Sequence, residues 1–169
     1  MHESKHKKTN DWVNYIIVTN DLRFSYVGAS NDFNRRIRAH NNEIRGGSLY
    51  TTNLAKAGYT WRPLVVITGF PDQRSALQHE LSQKRKMDKY RTTNALSSPK
   101  LQGECIHKRL RILAQVQWLP TWTKLSAPAQ DYALSFHWYN VEEVPPNWIH
   151  WMPEHRKGTC ILGFDRFEK

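Results

Sequence analysis

The sequence predicts a mixed α/β (α+β) domain followed by an α-rich extension. Two neighbouring runs rich in β-branched and aromatic residues, "WVNYIIVTN" and "FSYVGAS", are separated only by the turn residues "NDLR". A third run, "RPLVVITGF", is almost continuously apolar, as a strand buried on both faces should be. Segments with helical caps and helical spacing stand after the second and third runs.

In chain order, residues 1–10, "MHESKHKKTN", read as a disordered basic arm, with no apolar stretch behind it to make a secretory signal. The first two runs pair as a hairpin through "NDLR". "SNDFNRRIRAHNNEI" opens on capping residues and continues as a helix. "RGGSLYTTNLAKAGYTW", with Gly46 and Gly47 at its head, reads as a loop. After the third strand, Asp72 caps a helix over "QRSALQHELSQKRKMDKY". Residues 11–91 therefore hold strand, strand, helix, strand and helix. Residues 92–169 form the helical and Trp/Pro-rich extension. There, "RTTNALSSPKLQGE" reads as a linker, and Ile106, Leu110, Leu113 and Ala114 recur at helical spacing. "ALSFHWYN" suits a strand, and the Pro- and Trp-rich tail shows no period. For residues 141–169, core cover, DNA contact and a dimer interface are all open.

The chain has 169 residues, with 25 Lys+Arg against 15 Asp+Glu, a formal net charge of +10. Such an excess favours a polyanionic partner, because neutralising phosphates releases condensed counterions. Cys105 and Cys160 make neither a disulfide framework nor a zinc cluster, which points to a reducing, intracellular compartment. No apolar run approaches the roughly 20 residues that cross a bilayer.

Two helices break the rule that charge faces water. Residues advance about 100° each round a helix, so with Phe33 at zero, Ile37 lies about 40° round, His40 roughly 20° to the other side and Arg36 roughly 60°. Arg35 and Arg38 fall on the opposite half. On the second helix Leu77 and Leu81 are expected to define the inner face, with Glu80 on the same side. A charge beside a buried stripe needs a partner or a purpose. One answer is a structural Arg36–Glu80 ion pair. The other is chemistry, with Tyr15 and Tyr26 on the strands that lead to these helices. Phosphodiester hydrolysis needs these residue types: a carboxylate for a divalent cation, a guanidinium for transition-state charge, and a phenol with an imidazole to take a proton from water.

These residues resemble the motifs of the GIY-YIG nuclease superfamily. "NYI" (Asn14 to Ile16) and "YVG" (Tyr26 to Gly28) stand for the name motifs, followed by "DFNRRIRAH" and "ALQHE". Val13 and Asn14 stand where Gly-Ile would precede Tyr15, a departure that removes no catalytic group. Within the superfamily the chain looks like the Slx1 group of structure-selective endonucleases, through "YVGASNDFNRRIRAHN", Gly46-Gly47, the strand ending "GFP", and "KRLRILAQVQWLPTWTKL".

The resemblance implies a central three-stranded antiparallel sheet flanked by helices. It also implies a metal-dependent endonuclease that cuts branched DNA (flaps, forks, Holliday junctions), as in DNA repair and recombination. Glu80 would be the sole protein ligand of Mg²⁺ or Mn²⁺, and Arg36 would stabilise the transition state. Tyr15 would orient or deprotonate water with His40 assisting, and Tyr26 would position phosphate or water. Arg35, Arg38, Arg45, Lys84, Arg85 and Lys86 would grip the DNA backbone.

Slx1 proteins carry a RING-type zinc domain that binds an Slx4 scaffold. Cys160 alone, with Cys105, His107, His137, His150 and His155 out of spacing, cannot supply it. The expectation is no zinc and no Slx4-type scaffold, with a homodimer open because two cuts across a junction are easier with two sites. The nucleus or a site of viral DNA replication is the expected location. The alternatives are a sequence-preferring restriction or homing enzyme, and a retired nuclease that only binds DNA.

Overall fold

The computed structural model describes residues 11–93, 104–144 and 147–162. The expected N-terminal arm, most of the expected linker and residues 163–169 lie outside them. Strands β1 (Trp12–Thr19) and β2 (Ser25–Ser30) form the expected hairpin, with Tyr15 opposite Gly28. Helix α1 (Phe33–His40) follows, capped by Asp32, whose carboxylate accepts from the Arg35 amide. Strand β3 (Trp61–Phe70) pairs with the other side of β1, and α3 (Gln73–Thr93) runs along β1 and β2.

Between α1 and β3 the structure corrects the expected loop. Residues Leu49–Lys56 form helix α2, with Ser48 as N-cap accepting from the Thr51 amide. Its sequence lacks a continuous apolar stripe, so periodicity does not announce it. Only Thr51 of this helix is fully buried.

The sheet is also larger than the expected three strands. β4 (Ser135–Trp138) adds antiparallel to β3, and β5 (Cys160–Leu162) adds parallel to β4, giving the order β2-β1-β3-β4-β5. A strand as buried as β3 cannot leave one row of amides and carbonyls without partners. The extension is therefore not simply α-rich: besides α4 (Glu104–Gln117) and the short α5 (Trp148–Trp151) it supplies two strands.

Alternation along β1 sorts the core into two layers. Val13, Tyr15 and Ile17 face Phe33 and Trp61 on one side. Ile16 and Val18 face Ala76, Leu110 and Leu113 on the other. Trp148 and Met152 enter this second layer, so part of the Trp/Pro-rich tail covers the core. The paired Arg62 and Glu143 side chains fasten that tail to β3. Among the described residues no helix is long and apolar enough to cross a membrane.

Candidate active site

Tyr15 is wholly buried in the middle of β1, and its hydroxyl passes directly over Gly28 on the paired strand. A Cβ at Gly28 would stand 2.3 Å from that hydroxyl, so the glycine of "YVG" is required by the phenol it faces. From α1, the Arg36 Nε–H donates to the Tyr15 hydroxyl at 3.3 Å. His40, one turn later and fully buried, places Nε2 2.8 Å from the same oxygen. Arg35 and Arg38 point outward, and Arg38 pairs with Glu43 at the surface. The helical geometry thus puts Arg36 and His40 on the Tyr15 side.

Hydroxyl groups meet both ring nitrogens of His40. Its Nδ1 lies 2.7 Å from the Thr51 hydroxyl. That hydroxyl also meets the Ser48 hydroxyl at 2.9 Å and the Ser48 carbonyl at 3.2 Å, and with its proton on the carbonyl, Nδ1–H is assigned as the donor to Thr51. In that tautomer Nε2 carries a lone pair and accepts from Tyr15. Burial, and then the Arg36 charge, lower the His40 pKa to about 4, so the ring is neutral at pH 7. Burial likewise raises the Tyr15 pKa well above the usual phenol value, opposed by the hydrogen bond from Arg36. Thr51 belongs to this chain of hydrogen bonds, yet no motif pointed to it. It sits on the unexpected α2, held by the Trp61 indole N–H on its carbonyl at 3.0 Å. Gly46, at φ +113°, turns its carbonyl toward the Arg36 guanidinium, which donates to it.

α3 brings Glu80 past the open edge at β2. The inner face of α3 is made by Ala76, His79, Gln83 and Met87, which corrects the expectation for Leu77 and Leu81: they are 44% and 39% exposed. Gln83 bonds Asn14 of β1 at 2.8 Å, and Gln117 of α4 lies 2.9 Å from His79. These polar groups bond one another in part, leaving Asn14 Nδ2, Gln83 Oε1 and Gln117 Oε1 buried without a partner among the described residues, and α3 docks through small and amide side chains while its leucines face out.

Glu80 is nonetheless largely enclosed, its side chain 12% exposed, and it pairs with Lys84. Arg36 engages Tyr15 and Gly46 instead, so the Arg36–Glu80 ion pair does not form. The Lys84 ammonium also lies 5.9 Å from the centre of the Tyr26 ring. Tyr26 packs on His40 with ring centres 4.9 Å apart and stacks with Tyr50 at 6.4 Å. Lys84, expected only on DNA backbone, therefore joins Glu80 to Tyr26 inside the cluster. Tyr15, Tyr26, Arg36, His40 and Glu80 come together around one edge of the sheet.

Of the remaining expected DNA contacts, Arg35, Arg38 and Arg45 border one surface groove of about 630 Å³. Arg85 is exposed and Lys86 half-exposed on α3. Among the described residues no three His, Cys, Asp or Glu side chains gather to hold a metal. A single carboxylate paired with a half-exposed lysine suits a hard divalent cation that binds through one or two carboxylates and keeps its waters.

The GIY-YIG catalytic domain model matches residues 11–94. Protein L300 of Acanthamoeba polyphaga mimivirus is 33% identical over 99 residues, 54% of this chain and 57% of that one. The structure-specific endonuclease subunit SLX1 of Scheffersomyces stipitis is 33% identical over 92 residues, 53% of this chain and 27% of its own. The slx1 subunit of Schizosaccharomyces pombe is 38% identical over 69 residues, 39% of this chain and 24% of its own. The chain thus spans little more than half of the first relative and about a quarter of the others. The matched region holds the Tyr15–Arg36–His40 cluster and Glu80, and by it the chain belongs to the GIY-YIG superfamily, with an Slx1-like domain.

Proposed function

We propose that this protein is a metal-dependent, structure-selective endonuclease that hydrolyses phosphodiester bonds in branched DNA: flaps, forks and Holliday junctions. One observation carries the reading: the Tyr15 hydroxyl is held between a guanidinium that donates to it and a neutral imidazole 2.8 Å away. Tyr15 orients or deprotonates the attacking water, with His40 assisting through its contact with the hydroxyl. The Nδ1 contact with the Thr51 hydroxyl keeps the ring turned toward Tyr15. Charge that grows on the phosphoryl oxygens meets Arg36. Tyr26, against His40, borders the place where phosphate or water sits. Glu80 would hold Mg²⁺ or Mn²⁺, which when bound polarises a phosphate oxygen and stabilises the leaving one. Lys84 must leave the carboxylate for this, and the phosphate backbone offers its ammonium another anion.

Structure selectivity is supported by the names of the Slx1 relatives, structure-specific endonuclease subunits. Those names also support action beside a partner subunit. A homodimer would supply two active sites to one junction. The yeast and mimivirus relatives support work in a nucleus or at a site of viral DNA replication.

The test is cleavage of labelled duplex, 5′-flap, fork and four-way-junction DNA with Mg²⁺ by the wild type and Glu80→Gln. The wild type should cut the branched substrates, with cutting stopped by EDTA. Glu80→Gln should cut none and bind them at least as tightly, having lost the metal and a negative charge. Equal cutting of plain duplex would overturn structure selectivity, and cutting by Glu80→Gln would overturn the metal assignment.

A further inference from the structure

The outward turn of Leu77 and Leu81 leaves an apolar groove beside the site. With Leu125, 76% exposed, they line a groove of about 990 Å³ between α3 and the segment after α4. Arg74, Arg85 and Lys124 stand on its rim, and none of the residues lining it is acidic. Leu77, Leu81 and Arg85 follow one another at four-residue spacing along α3, the helix that carries Glu80, and Glu80 lies about 60° round the helix from Leu77. Exposed leucines on a helix that must also meet a polyanion are costly unless something covers them.

We propose that Leu77, Leu81 and Leu125 form a platform for the open face of the base pair at a DNA branch point, with Arg74, Arg85 and Lys124 on its flanking phosphates. This rests on the endonuclease reading above and deepens it. In a continuous duplex every base pair is covered by its neighbours. At a branch, one pair lacks a stacking neighbour and presents a flat, apolar face edged by phosphates. An apolar floor with a cationic rim complements that face in shape and charge, and aliphatic side chains stack on bases without reading their edges. A second copy of the chain would bring its own net charge of +10 against the same three cations. The groove thus supplies what the catalytic cluster lacks, a feature that distinguishes a branch from a duplex of equal charge.

The experiment uses the full chain in the non-cutting Glu80→Gln background, with and without Leu77→Gln and Leu125→Gln together. Affinities for a fork and for a continuous duplex of equal length are measured by fluorescence anisotropy. A 2-aminopurine at the branch-flanking pair reports stacking. The double substitution should lower the fork-to-duplex affinity ratio by tenfold or more and abolish the 2-aminopurine change. Leu125→Gln alone, at the most exposed of the three positions, should lower the ratio in part and serves if the pair fails to fold. An unchanged ratio, or equal losses on both DNAs, would overturn the platform. So would an unchanged ratio with a dimer-to-monomer shift in sedimentation, which would give the groove to a second copy. In parallel, wild-type cutting separates the two claims. No preference for branched DNA in the wild type sinks both, whereas preference retained in the Leu77→Gln, Leu125→Gln enzyme sinks only the platform.

Discussion

The Tyr15 hydroxyl does three things at once: it accepts from Arg36, shares a hydrogen bond with His40 Nε2 and lies against Gly28. Each neighbour has a separate, measurable share. Arg36→Ala should lower kcat by about 10²–10³-fold, in the range of lost preorganised donors, whereas Arg35→Ala, exposed on the other half of α1, should change kcat little. Equal losses would undo the distinction between the two faces. Thr51→Val removes the acceptor for His40 Nδ1–H and frees the ring to take the other tautomer. In single-turnover assays it should slow cutting by about 10-fold or more, within the roughly 10²–10⁴ a general base contributes, with DNA affinity unchanged. Thr51→Ser, which keeps the hydroxyl, should restore most of the rate. A Thr51→Val enzyme at full speed would remove Thr51 from the proton chain.

At the scale of elements, α3 and α1 both dock through buried polar groups, and this makes their attachment sensitive to acid. Burial lowers the His79 pKa to about 3, with the Arg156 charge adding to it, and burial lowers that of His40 to about 4. An unfolded histidine titrates near 6.5, so below that pH the unfolded chain binds protons that the folded chain refuses. Stability from both histidines is complete above about pH 6.5 and drains as pH falls toward 4 and then 3. Melting temperature followed by circular dichroism from pH 7 to pH 4 should therefore fall steeply. His40→Gln should start lower at pH 7 but lose less over the same span. Parallel curves would mean that His40 does not resist protonation in the folded state.

Across the whole molecule, positive charge is gathered on surfaces near the catalytic cluster. Arg35, Arg38 and Arg45 share one groove beside α1, and Arg74, Arg85 and Lys124 rim the other beside α3. Replacing Arg35, Arg38 or Arg45 by Ala should weaken binding to all DNA shapes alike. It should also reduce the slope of log affinity against log salt by about 0.9 for each phosphate no longer neutralised. An unchanged slope would take that arginine off the DNA path. Loss of preference among shapes belongs to the leucine groove instead, so the two surfaces give different signatures.

Much of the site was legible in the chain because local periodicity governs local direction. The spacing of Phe33, Arg36, Ile37 and His40 alone turns the cation and the imidazole toward the sheet, and alternation along β1 sends Tyr15 to the same side. Composition alone indicated a polyanionic partner, and the motif order indicated the superfamily. Other features needed the assembled fold. Which face of α3 is inner depends on what it meets, and Asn14 and Gln117 offer amides to His79 and Gln83, so the leucines turn out. Thr51 acquires its role from a hydrogen bond to a residue on another helix, and Lys84 acquires its place from the neighbouring strand edge at Tyr26. β4 joins β3 across a still longer stretch of chain. The sequence by itself determined the periodic elements around the site, though not α2 or β5, and the inward charges of α1, because those follow from interactions within a turn or two. Tertiary structure decided the partners of those charges and the surface left uncovered, because such contacts form between segments whose spacing carries no signal of their meeting.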